Sequence, residues 1–122
     1  MYKILVVDDE PKIREVIKEY GEFSGYEITE ADDGITAVGL CKLNDYDLII
    51  MDIMMPVMGG LEAAHAIRTM ERADSNKVPI VAISANAFDE DIRRSLASGM
   101  NAHLSKPIEV DKLRETLGKL LK

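Results

Sequence analysis

Asp8, Asp9, Asp52, Ser84 and Lys106 are the residues whose types and settings could do chemistry, because they stand at the carboxyl ends of short strand-like segments. Three carboxylates gathered at one edge would repel one another, raising some of their pKa values. A divalent cation removes that penalty. Hard oxygen donors with no His or Cys beside them select Mg²⁺, with Mn²⁺ as a substitute, over zinc. A carboxylate can also attack a phosphoryl group to give an acyl phosphate. Such a transfer needs mainly alignment and neutralisation of the charge on the moving oxygens. Metal and Lys106 would supply the neutralisation, and Ser84 a hydrogen bond to one oxygen. Acidic residues also occupy polar loops and helix caps, which suffices for Asp8 or Asp9 singly. It does not account for three carboxylates together with a serine and a lysine at neighbouring strand ends.

The elements that must position these residues follow from the apolar pattern. Ile4–Val7, Leu48–Met51 and Ile80–Ile83 are apolar without alternation, the mark of strands buried on both faces of a parallel sheet. Weaker strands fit Glu27–Ala31 and Ala102–Ser105. Helical spacing links Ile13, Val16, Ile17 and Tyr20; then Gly60, Ala63, Ala64, Ile67 and Met70; then Phe88, Ile92 and Leu96; then Val110, Leu113, Leu117 and Leu120. Pro11 and Gly34 mark helix starts, Pro56 to Gly60 and Gly99 mark breaks, and Ala73–Lys77 is a polar loop. Five β-α units without a long linker predict a doubly wound parallel sheet with right-handed crossovers. With strand order 2-1-3-4-5, the crevice outside the carboxyl ends lies between strands one and three, which carry the aspartates. Pro107 restricts the backbone of Lys106, and the bond between them is a candidate cis peptide.

Composition sets bounds on function. At 122 residues the chain is expected to be one domain, residues 1–122, with no second domain after the final helix. Its 15 basic and 22 acidic residues leave a net charge of −7, which argues against direct nucleic-acid binding. Cys41 is the single cysteine, so no internal disulfide is possible, and its small-residue helix suggests a packed thiol in a reducing compartment. No apolar run reaches the ~20 residues of a membrane span, and no signal peptide is read at the amino terminus. A cytoplasmic location is expected. His65 is expected at the surface, Met51 in the core, and Met54, Met55 and Met58 in the loop beside the aspartates. The charges at Asp89, Glu90, Asp91, Arg93 and Arg94 suggest a solvated helix face.

The segments ILVVDDE, DLIIMDIMMPVMGG, VPIVAISA and LSKPI, in this order and spacing, resemble the receiver domain of bacterial two-component response regulators. The likeness covers essentially the whole chain and implies a flavodoxin-like (βα)5 fold. It implies that Asp52 is the phosphoacceptor, receiving phosphate from a histidine kinase or histidine phosphotransfer protein in a Mg²⁺-dependent reaction. Asp9 would be a direct metal ligand, Asp8 would act largely through a metal-bound water, and Met54 would contribute its backbone carbonyl. Ser84 would be the switch hydroxyl, the N–H of Ala85 would also reach the phosphoryl oxygens, and Lys106 would be the cation. Phosphorylation would change the face formed by the fourth helix, fifth strand and last helix. One position departs: the family usually carries Tyr or Phe where this chain has His103, which is smaller and can carry charge. The segment from Val78 to Leu113 looks more like receivers fused to hybrid sensor kinases, and the opening half more like those of transcriptional regulators.

Three other readings are weaker. A phosphatase of the haloacid dehalogenase type would carry a second Asp two residues after the nucleophile, where this chain has Met54. A flavin-binding module would place a Ser/Thr/Gly loop after the first strand, in place of Asp8-Asp9-Glu10. A pure interaction module would be favoured by loss of an Asp or of the Lys, and none is lost.

Overall fold

The apolar runs form the centre of the sheet. In a computed structural model, which describes residues 1–70, 77–85, 93–94, 96 and 99–121, the strands are β1 (Lys3–Val7), β2 (Glu27–Ala31), β3 (Leu48–Asp52), β4 (Ile80–Ser84) and β5 (Ala102–Ser105). The helices are α1 (Pro11–Phe23), α2 (Gly34–Leu43), α3 (Gly60–Arg68) and α4 (Val110–Leu120). All strand pairs are parallel, in the order β2-β1-β3-β4-β5. Every residue of β3 and β4 is buried, as expected for strands covered on both faces, while the edge strands β2 and β5 are partly exposed.

Alternation along the strands divides the core in two. Ile4, Val6, Ile50, Val81, Ile83 and Leu104 pack with Ile17 of α1 and with Leu113 and Leu117 of α4. Leu5, Val7, Ile49, Met51 and Ala82 pack on the other face with Ala37 and Cys41 of α2 and with Ala63, Ala64 and Ile67 of α3. Cys41 is thus a packed thiol, Met51 fills the core and His65 is exposed. Val16 and Val110, placed on apolar stripes by their spacing, are instead exposed. Each stands at the margin of its helix's buried stripe. Most of the Phe88–Leu96 pattern, with Asp89, Glu90 and Asp91, lies outside the described residues, as does most of the Ala73–Lys77 loop. Leu96 itself is exposed. No helix among the described residues is long and apolar enough to cross a membrane.

Local chemistry sets the helix starts. Pro11 opens α1, where its missing N–H costs nothing. The Asp33 carboxylate caps α2, accepting from the Thr36 N–H at 2.7 Å. Gly60 opens α3 for a different reason: a Cβ there would fall against the carbonyl of Asp52 and lie 2.8 Å from Ile53 Cα. The α3 start can only come that close to the end of β3 without a side chain.

Candidate functional site

The sheet ladder continues just past the strand ends and delivers the polar residues. The Asp8 N–H donates to the Ala31 carbonyl at 3.2 Å, the Ile53 N–H to Ile83 at 2.9 Å, and the Lys106 N–H to Ser84 at 2.9 Å. Asp8, Asp52 and Ser84 therefore sit at carboxyl ends and are buried, with at most 2% of their surface exposed. Asp9 is exposed beside them. Ligand oxygens of Asp8, Asp9 and Asp52 all lie within 4.8 Å of one another.

Lys106 reaches this cluster from the end of β5. Its Nζ stands 3.1 Å from Asp52 Oδ2, 3.3 Å from Asp8 Oδ2 and 2.9 Å from Glu10 Oε1. Burial alone would lower its pKa; the carboxylates of Glu10, Asp52 and Asp8 outweigh that effect and hold it above the ordinary lysine range. Asp8 moves up, to about 6. Burial is the main cause and the neighbouring Asp52 charge adds to it, against the Glu10 N–H and Lys106, which oppose it. Asp8 Oδ1 accepts the Glu10 N–H at 2.8 Å, whereas its buried Oδ2 accepts no hydrogen bond among the described residues and lies 3.3 Å from the Lys106 ammonium. A buried oxygen short of donors, in a set made only of oxygens, fits a hard divalent cation.

Asp52 Oδ1 accepts the Met54 N–H at 3.0 Å, which orients the carboxylate and the loop after it, while the Met54 side chain is 74% exposed. In that loop Val57 has φ 67°, the one non-glycine residue in the left-handed region among the described residues. Met55 and Met58 are not simply loop: both pack partly against the α2/α3 core. Ala85 follows β4 and is exposed, and Lys106–Pro107 is a cis peptide. His103 is turned to Ser84, with Nε2 2.8 Å from the Ser84 hydroxyl. Ile13 and Ile108 are half-buried against the α1/α4 core rather than exposed at the rim.

Two residues of the site carry no signal of their type or spacing. Arg14 donates from Nη1 to the Asp8 carbonyl at 2.6 Å and from Nε to Glu30 at 3.2 Å, tying α1 to the ends of β1 and β2. Glu10 shares the Lys106 ammonium with the two buried aspartates. Only the folded chain brings these partners into reach.

The sequence model of the response regulator receiver domain family matches residues 4–118. The chain belongs to that family. This receiver domain is 37% identical over 114 residues to the sensor histidine kinase RcsC of Salmonella typhi, covering 93% of this chain and 12% of the kinase. Sensor histidine kinase AruS of Pseudomonas aeruginosa is 35% identical over 118 residues, 97% of this chain and 12% of that protein. The chain thus spans about an eighth of the length of these curated relatives. Among solved structures, the receiver domain of sensor histidine kinase PA1611 from P. aeruginosa superposes with a TM-score of 0.89 at 37% identity, over 98% of this chain and 97% of that one; it holds a magnesium ion in its active-site cleft. Chemotaxis protein CheY4 of Vibrio cholerae superposes with a TM-score of 0.91 at 32% identity, over 98% of both chains.

Proposed function

We propose that residues 1–122 form one cytoplasmic receiver unit in which Asp52 accepts a phosphoryl group from a phosphohistidine on a histidine kinase or histidine phosphotransfer protein. The observation that carries the reading is the buried Asp52 carboxylate, 3.1 Å from the Lys106 ammonium and clustered with Asp8 and Asp9. Asp9, Asp52 and the Met54 carbonyl would hold Mg²⁺ directly, and Asp8 largely through water; Mn²⁺ would substitute. The magnesium in the PA1611 receiver supports that assignment. When bound, the ion neutralises charge on the carboxylates and on the phosphoryl oxygens.

The protein's own groups do the rest. An Asp52 oxygen attacks phosphorus, forming the acyl phosphate as the P–N bond breaks and its electron pair returns to the imidazole. Lys106 offsets the charge on the moving oxygens, and the Ser84 hydroxyl and Ala85 N–H bind them. The resulting change spreads to the face built by the helix after β4, by β5 and by α4, with His103 beside Ser84 in its path. The chemistry stays on the domain's own aspartate, so turnover of phosphate esters is not expected.

The test is intact-mass measurement after incubation with acetyl phosphate and Mg²⁺. Wild type should gain one phosphoryl group and Asp52→Asn none. Equal modification of the two would overturn the assignment.

A further inference from the structure

We infer that Arg14 is a positioning residue for the cation site: it holds the Asp8–Asp9 peptide so that both carboxylates stay gathered with Asp52, and its loss weakens Mg²⁺ binding. The inference rests on the Mg²⁺ assignment made above. The register of β1 with β2 ends at Val7 and Ala31. One more ladder bond forms beyond it, from the Asp8 N–H to the Ala31 carbonyl at 3.2 Å. Asp33 then turns away to cap α2. The Asp8 carbonyl is taken up by Arg14, whose Nη1 donates to it at 2.6 Å while Nε donates to Glu30 Oε1 at 3.2 Å.

The peptide joining Asp8 to Asp9 is planar, so a donor fixed on its oxygen also fixes the direction in which Asp9 leaves β1. Asp8 is thus held at both backbone groups, its N–H by β2 and its C=O by α1. The guanidinium presents its donors in a rigid fork. Glu30 steadies one side of that fork, and Lys18 Nζ stands 3.6 Å from the other Glu30 oxygen. Such a grip matters because the carboxylates repel one another. Their oxygens lie within 4.8 Å, and Asp9 is exposed, so it would relax outward if the peptide could turn. By charge alone, Arg14 works in the opposite sense, because a cation beside a cation site disfavours a metal ion. The two roles therefore differ in sign: acting by charge, Arg14 weakens Mg²⁺ binding; acting by position, it strengthens it.

Calorimetric titration of the metal-free full chain with Mg²⁺ separates them. Arg14→Met should bind Mg²⁺ about tenfold more weakly than wild type, the low end for groups that orient metal ligands. Arg14→Lys keeps the charge and one donor but cannot reach Glu30 and the Asp8 carbonyl together, and should bind about threefold more weakly. Two controls fix the interpretation. Lys12→Met removes a positive charge from an exposed position of α1 and should stay within about twofold of wild type. Leu113→Val loosens the core shared by α1 and α4 and should also stay within about twofold. Equal or tighter binding by Arg14→Met overturns the proposal, as does a loss of the same size in either control. If Arg14→Met fails to fold, Arg14→Lys decides, and wild-type affinity in that variant overturns the proposal. Failure of the wild-type chain to bind Mg²⁺ would instead overturn the metal assignment, and this inference with it.

Discussion

Lys106 Nζ lies 3.1 Å from Asp52 Oδ2 although 54 positions separate the two residues. The same ammonium reaches Asp8, so one cation balances two buried carboxylates. Removing one partner of a buried ion pair leaves uncompensated charge. Lys106→Met should therefore lower the stability of the metal-free protein by about 3 kcal/mol, read by urea unfolding in chelator. Mg²⁺ should restore part of that loss. Labelling of Asp52 by acetyl phosphate should slow by about 10²-fold, as for loss of a group that stabilises transferring charge. Unchanged stability in chelator would show that Lys106 does not balance the pair.

Asp8 makes stability depend on pH. Its folded-state pKa of about 6 exceeds the ordinary 3.8, so the folded protein binds the extra proton between those values. Its contribution is fully present at low pH and is lost as pH rises through about 6, a change on the order of 2–3 kcal/mol. Asp8→Asn cannot ionise. In chelator the variant should match wild type near pH 4 and exceed its stability above pH 7. A stability difference that is flat across this range would rule out a raised Asp8.

Gly60 touches the site through its missing side chain. A Cβ there meets the Asp52 carbonyl and Ile53 Cα, backbone that cannot rotate aside. Gly60→Ala should cost about 1–3 kcal/mol and slow Asp52 labelling about tenfold through misplacement of the carboxylate. Gly39→Ala is the control: nothing lies within 4 Å of its Cβ, so a gain of up to about 1 kcal/mol is expected. Equal unfolding midpoints for the two variants would contradict the packing argument.

A partner bearing phosphohistidine is expected to lay a helix across Ile13, Arg14, Pro107 and Ile108. Ile13 and Ile108 are half-buried, so the partner would cover their outer edges beside the exposed Pro107. Ile13→Asp should slow transfer from that partner about tenfold or more, the worth of burying part of one apolar side chain. Labelling by acetyl phosphate should be unaffected. Parallel loss of both routes would mean that the substitution damaged the fold.

Met54 bears on how long the acyl phosphate survives. Its thioether is a poor acceptor for an incoming water. Met54→Asn should speed loss of phosphate by up to about 10²-fold, the usual worth of a water-positioning group. The side chain is 74% exposed, so the variant should fold as wild type does. Decay timed by intact mass at matched Mg²⁺ settles the point, and an unchanged rate would place the control of lifetime elsewhere.

The sequence by itself determined the strands, their parallel character and the order of chemistry along the chain. Uninterrupted apolar runs such as Leu48–Met51 are stable only when covered on both faces, and Asp52 and Ser84 directly follow runs of this kind. The spacing could not separate the buried Ile17 from the exposed Val16 next to it, because a helical stripe has margins that only its packing partner defines. Nor could it pair Arg14 with the Asp8 carbonyl, Glu10 with Lys106, or His103 with Ser84. Those bonds join separate elements of the chain, and their lengths depend on how strands and helices come to rest against one another. Residue type and local period are properties of the chain; distance between side chains, and the pKa that follows from it, are properties of the packed sheet.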